Sequence, residues 1–106
     1  MKLSDENCRP VTAGESSLSS QIVKELAVQI PGWTIRDKSL DREFQFKDFK
    51  ESITFVNKVA DLAEKQNHHP DICIYYNKVK LVLSTHKIGG LSQNDFILAA
   101  RIDLLV

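Results

Sequence analysis

Cysteine is scarce in this sequence of 106 residues. Only Cys8 and Cys73 occur, far apart and in no C-x-x-C arrangement, which excludes a disulfide framework and a structural zinc finger. Two free thiols in a reducing compartment are expected. Net charge is lacking too. The 14 Lys+Arg balance 14 Asp+Glu, so no overall field holds a nucleic-acid backbone or an anionic membrane. Apolar runs extend over only a few residues, which excludes a transmembrane helix. The opening residues from Met1 to Glu6 are acidic and have no apolar stretch, so no standard secretory signal is expected and the cytoplasm is the expected compartment. No repeat or low-complexity stretch is found. What is present is 42% hydrophobic and 26% charged, the balance of a soluble globule, and the length suits a single domain over residues 1–106.

Residues 1–16 hold Pro10, Gly14 and scattered polar residues, and read as a loosely ordered arm. Ser16 and Ser17 can cap a first helix whose apolar positions Leu18, Ile22 and Leu26 keep helical spacing, with Pro31-Gly32 as its end. Trp33 and Ile35, then Phe44 and Phe46, alternate with polar residues as half-buried strands do. Asp48 is a plausible N-cap for a second helix carrying Phe49, Ile53, Val56, Ala60 and Ala63, widened by Phe55, Val59 and Leu62. That arc is broad enough to cover both a sheet and a partner helix. Pro70 is expected to end this helix. A hairpin follows, turning at Asn77-Lys78 between strands with Ile72, Ile74, Tyr76 and Val79, Leu81, Leu83. Gly89-Gly90 breaks the chain, and Ser92 with Asp95 fits a capping box opening a third helix. The order α-β-β-α-β-β-α predicts an α+β fold, an antiparallel four-stranded sheet with three helices packed mainly on one face.

All three histidines, His68, His69 and His86, flank this hairpin. An antiparallel hairpin sets residues 70–72 beside residues 84–86, so the three imidazoles can converge. Glu64 lies one helical turn before His68 and can reach that ring and fix its tautomer. Such a cluster supports several chemistries. Zinc binding is one, although adjacent His68 and His69 diverge and no Cys or carboxylate stands at a recognised ligand spacing. Nucleophilic catalysis through Ser84, on the strand face of His86, is another, without any nucleophile elbow. General acid–base catalysis requires only a titratable ring near the substrate, and a helix C-terminus favours a protonated imidazole.

The run Glu64-Lys65-Gln66-Asn67-His68-His69-Pro70, with Tyr76, His86 and Asp95 at their spacings, resembles the signature of pterin-4a-carbinolamine dehydratases. Tyr76-Asn77-Lys78-Val79, Thr85-His86, Gly90-Leu91-Ser92 and Ile102-Asp103 agree as well, and the likeness thins over residues 18–63. The resemblance implies dehydration of 4a-hydroxytetrahydropterin to quinonoid dihydropterin and water, in tetrahydropterin recycling for aromatic amino-acid hydroxylases. It implies His68 and His86 as general acids, His69 as a pterin-binding residue or base, Glu64 as the group orienting His68, and Asp95 as support for the cleft near His86. Pro70 belongs to the same motif as a helix terminator, and Tyr76 reads as a packing residue. No metal or organic cofactor is implied, the pterin being the substrate. The resemblance also implies a homodimer or homotetramer, paired through a sheet edge and through the second helix, with no direct nucleic-acid or membrane partner. Two departures bear on pterin binding: Ile72 stands where some members carry an aromatic residue, and Asn94 where many carry a basic one. The family also includes dehydratase-like proteins linked to the assembly of other enzymes, which is the alternative reading.

Overall fold

In the computed structural model, which describes residues 2–106, the elements are α1 (Ser20–Ala27), β1 (Thr34–Ile35), β2 (Leu40–Gln45), α2 (Phe49–Gln66), β3 (Asp71–Tyr75), β4 (Lys78–Leu83) and α3 (Gln93–Asp103). This is the α+β order expected. The four strands form one antiparallel sheet in the order β1-β2-β4-β3. Period-2 alternation does its ordinary work in β4: Val79, Leu81 and Leu83 are all buried, while Lys78 is exposed between strand and turn. Their partners across β2 place Phe44 opposite Val79 and Leu40 opposite Leu83, so the same face of both strands is apolar. Phe55 and Val59 of α2 and Phe96, Leu98 and Ile102 of α3 join that face in one core. At one end of the core Asp103 accepts from Trp33 Nε1 at 2.9 Å and from Arg42 at 2.8 Å, and the Arg42 guanidinium lies over the Phe44 ring.

Local boundaries shift for identifiable reasons. The cap of α1 is Ser19, whose hydroxyl accepts from Ile22 N; neither Ser16 nor Ser17 caps it. Leu18 N donates to Leu91 O at 2.9 Å, which holds the preceding segment beside the loop before α3. Asp48 caps α2 as expected, accepting from Glu51 N. Pro70 does not end that helix. Asn67 takes the left-handed conformation (φ 53°, ψ 39°) and stops it three residues earlier. The hairpin turns on Tyr76-Asn77, one residue before the expected Asn77-Lys78, with Tyr76 at φ 53°. Asn77 is instead tied to the end of β2, its carbonyl accepting from Phe46 N and its amide donating to Phe46 O.

The arc of α2 divides differently from the reading of its apolar residues. Ser52, Phe55, Val59 and Ala63 are buried against the chain's own core, whereas Phe49 is exposed and stacks on Tyr76. Phe55 and Val59 are thus spent within the subunit. The arm corrects the expectation most. Residues 6–9 are not loose but tied to α2 and α3, while residues 12–16 are mostly exposed and bond only within the arm. Leu3 is buried in the core within a short 3-10 turn, Leu3–Asp5. Arg101 Nε donates to Glu6 O at 2.7 Å, Cys8 N to Gln66 Oε1 at 2.7 Å, and Arg9 N to Asn94 Oδ1 at 3.0 Å. These bonds join positions far apart in sequence, so no local pattern announces them.

Candidate active site

The left-handed Asn67 redirects the chain as it leaves α2, and the next two residues are His68 and His69. Because both lie beyond the last helical turn, the i, i+4 relation that would join Glu64 to His68 no longer holds. Glu64 pairs with His69 instead, Oε2 to Nε2 at 2.5 Å, in an exposed contact. His68 turns inward and meets Asp95, Nε2 to Oδ1 at 2.6 Å. This partner exchange corrects the expected pairing of Glu64, and it gives Asp95 a bond to His68 as well as one to Thr85, the residue before His86.

Asp95 is fully buried, so its oxygens require partners. The capping box at the start of α3 supplies one: Ser92 N donates to Oδ2 at 2.9 Å, and the Ser92 hydroxyl accepts from the Asp95 backbone N–H. Thr85 Oγ1 donates to the same Oδ2 at 2.8 Å, and Thr85 in turn contacts Ser92 Oγ at 2.7 Å. Asp95 is an acceptor in these contacts. With the carboxylate accepting again, His68 carries its proton on Nε2 and keeps Nδ1 as the other ring nitrogen. One carboxylate therefore caps a helix and sets an imidazole.

His86 opens a second 3-10 turn, His86–Ile88, which closes on Gly89 at φ 62°. Just before it Thr85 bridges Gly90, which brings the end of β4 back toward α3. Its exposed imidazole makes no side-chain hydrogen bond among the described residues. The three histidines line a single open cleft of about 340 Å³, with Ser84, Thr85 and Asn94 on its walls. Pro70 and Ile72 are not among the lining residues; Ile72 sits in β3 opposite Leu81. Asn94 is buried and points to the arm, its Nδ2 donating to Arg9 O at 2.7 Å. Arg9, Pro10 and Val11 thereby reach the cleft, and sequence reasoning missed all three. The only local signal was Asn94 itself, a polar residue within the α3 pattern.

No group of three or more His, Cys, Asp or Glu among the described residues is arranged to hold a metal ion. Among the described residues no helix is long and apolar enough to cross a membrane. Cys8 is ill placed to act as a nucleophile. Burial pushes its thiol up to about 11, against the pull of Arg101, and Asp95 adds to the rise. Iodoacetamide at pH 8 should leave Cys8 unmodified in the folded protein and alkylate it once urea unfolds the chain, read by peptide mass; rapid modification of the folded protein would contradict this assignment.

The α+β fold thus carries an open cleft lined by three histidines, one of them bonded to a buried carboxylate. The family model for pterin 4 alpha carbinolamine dehydratase matches residues 16–105, and the chain belongs to that family, a family of hydro-lyases. A protein of Rubrobacter xylanophilus, provisionally named a pterin-4-alpha-carbinolamine dehydratase, is 43% identical over 98% of this chain and 98% of its own. One of Alkaliphilus metalliredigens with the same name is 45% identical over 95% of this chain and 93% of its own. A crystal structure from Brucella melitensis, described as a transcriptional coactivator/pterin dehydratase, superposes with a TM-score of 0.80 at 29% identity, covering 85% of this chain and 98% of that one. A pterin dehydratase-like protein identified as a RuBisCO assembly factor shares the fold at 19% identity, with a TM-score of 0.57.

Proposed function

We propose that the protein dehydrates 4a-hydroxytetrahydropterin to quinonoid dihydropterin and water by histidine general acid–base catalysis, and so serves tetrahydropterin recycling beside an aromatic amino-acid hydroxylase. The observation that carries this reading is the convergence of three imidazoles on one cleft, two of them already oriented by carboxylates. The reaction is an elimination: the C4a–O bond breaks, the departing hydroxide takes a proton, and the N5 proton is lost. Each transfer needs a group that titrates near neutral pH within hydrogen-bond reach, which imidazole supplies. His68, when it also carries a proton on Nδ1, and His86 serve as acids on opposite faces of C4a, and His69 binds the ring and accepts the N5 proton. Asp95 holds the His68 ring in place, and Glu64 holds His69. The cleft volume suits a small bicyclic ring. The site needs no metal or organic cofactor in this scheme.

The same reading makes the chain a cytoplasmic homodimer or homotetramer. Support comes from β3, an edge strand whose residues Cys73, Ile74 and Tyr75 are exposed. The test is stopped-flow spectroscopy on freshly generated 4a-hydroxytetrahydropterin. The wild-type protein should raise the dehydration rate in proportion to its concentration, with no loss after chelator treatment. A rate equal to the uncatalysed one would refute the proposal.

A further inference from the structure

The described residues that line the histidine cleft are all polar or charged but for two, and both belong to the N-terminal arm: Pro10 and Val11. Sites for flat organic ligands are lined mainly by apolar surface, with a few polar groups fixing orientation. Here the segments after β4 and after α2, with Asn94 at the start of α3, supply only residues of polar type. The apolar share comes from a segment that lies before the stretch matched by the family model. Val11 is 9% exposed, so its side chain is already seated and not waving in solvent.

The position of this segment rests on Asn94. Its side-chain amide reads the Arg9 backbone in both directions, accepting from Arg9 N at 3.0 Å and donating to Arg9 O at 2.7 Å. Gln66 holds the residue before, accepting from Cys8 N at 2.7 Å. The Arg9 guanidinium is not part of this latch; it pairs with Glu15 and its own neighbour's carbonyl, Pro10 O. We infer that Pro10 and Val11 form the apolar wall against which the substrate's flat ring lies, and that Asn94, through the Arg9 backbone, is the positioning residue that latches the wall in place. The inference rests on the pterin reading for the identity of the ring. It adds a substrate-binding element from outside the matched stretch and gives Asn94 a task in the cleft.

The test pairs direct binding of 7,8-dihydropterin, followed by fluorescence, with dehydration kinetics and melting curves for three full-length variants. Asn94→Ala releases the latch, Val11→Ser removes the apolar contact without touching it, and Arg9→Ala keeps both backbone bonds. Asn94→Ala and Val11→Ser should each weaken dihydropterin binding and raise KM about tenfold, with kcat changed far less. Arg9→Ala should change both by a smaller factor. Unchanged binding in a folded Val11→Ser variant would overturn the wall whether or not Asn94→Ala folds. So would an Arg9→Ala effect equal to that of Asn94→Ala, which would assign the loss to the guanidinium. A wild-type protein that binds dihydropterin but dehydrates nothing would sink the dehydratase reading alone, the wall then standing or falling on the binding constants. A wild-type protein that binds no dihydropterin would sink the wall.

Discussion

A His68→Ala, His86→Ala double variant should dehydrate 4a-hydroxytetrahydropterin about 10²–10⁴-fold more slowly than the wild type, the usual span of a general acid–base contribution. That corresponds to roughly 3–5 kcal/mol of barrier. Each single variant should slow one C4a stereoisomer more than the other, because the rings enter the cleft from different elements, the end of α2 and the turn after β4. The structural consequences should differ as well. His86 is exposed and makes no side-chain hydrogen bond among the described residues, so His86→Ala should melt with the wild type. His68 is largely buried and bonded to Asp95, so His68→Ala should cost about 1–3 kcal/mol, the range for depriving a buried carboxylate of one partner. Rates for each stereoisomer, with melting curves alongside, check all three statements. A double variant that folds and keeps wild-type turnover would sink the enzyme reading and favour an assembly role.

Replacing Asp95 should have the largest effect on stability and activity together. The side chain is fully buried and satisfies Ser92 N, Thr85 Oγ1 and His68 Nε2. Asp95→Ala removes an N-cap interaction and leaves buried donors without an acceptor, for a combined loss of about 3–5 kcal/mol. Asp95→Asn separates the two roles. Its carbonyl oxygen can still accept from Ser92 N and Thr85, but its amide then faces His68 as a donor. His68 must answer by accepting at Nε2, which moves its proton to Nδ1. Asp95→Asn should therefore be less destabilised than Asp95→Ala in urea titrations, yet slow the stereoisomer served by His68 by at least tenfold. Imidazole nitrogen NMR reads the tautomer directly. An Asp95→Asn protein with the wild-type tautomer and rate would refute the orienting role.

The histidines that line the cleft stand out in the sequence because they are few and chemically distinctive. Three histidines around one hairpin were expected near one another and line one cleft, although the register sets Asp71 opposite Val82 and not beside residues 84–86. Their partners were not legible. Glu64 was matched to His68 on helical spacing, and that spacing lost its meaning at Asn67, whose left-handed backbone no propensity argument located. Asp95 was visible as a capping residue, and its cap is present. Its second task appears only once α3 is packed beside the end of α2, which sets Asp95 against a ring 27 positions away.

What the sequence by itself determined is local: the alternation of Val79, Leu81 and Leu83, the cap at Asp48, the capping box of Ser92 and Asp95, and so the element order and the α+β class. Those features depend on nearest neighbours along the chain and on which face is apolar, both of which a reader of residues can see. The tertiary structure decided which imidazole meets which carboxylate, that the left-handed turn residue is Tyr76, and that the arm packs. The arm's case states the reason most plainly. Residues 2–16 show no periodicity and few strong formers, yet Asn94, Gln66 and Arg101 offer polar groups to the backbone of residues 6, 8 and 9 once Leu3 and Val11 are buried. Backbone satisfaction across such distances has no signature in sequence, because any residue carries the same N–H and C=O; only the assembled fold selects which of them are met.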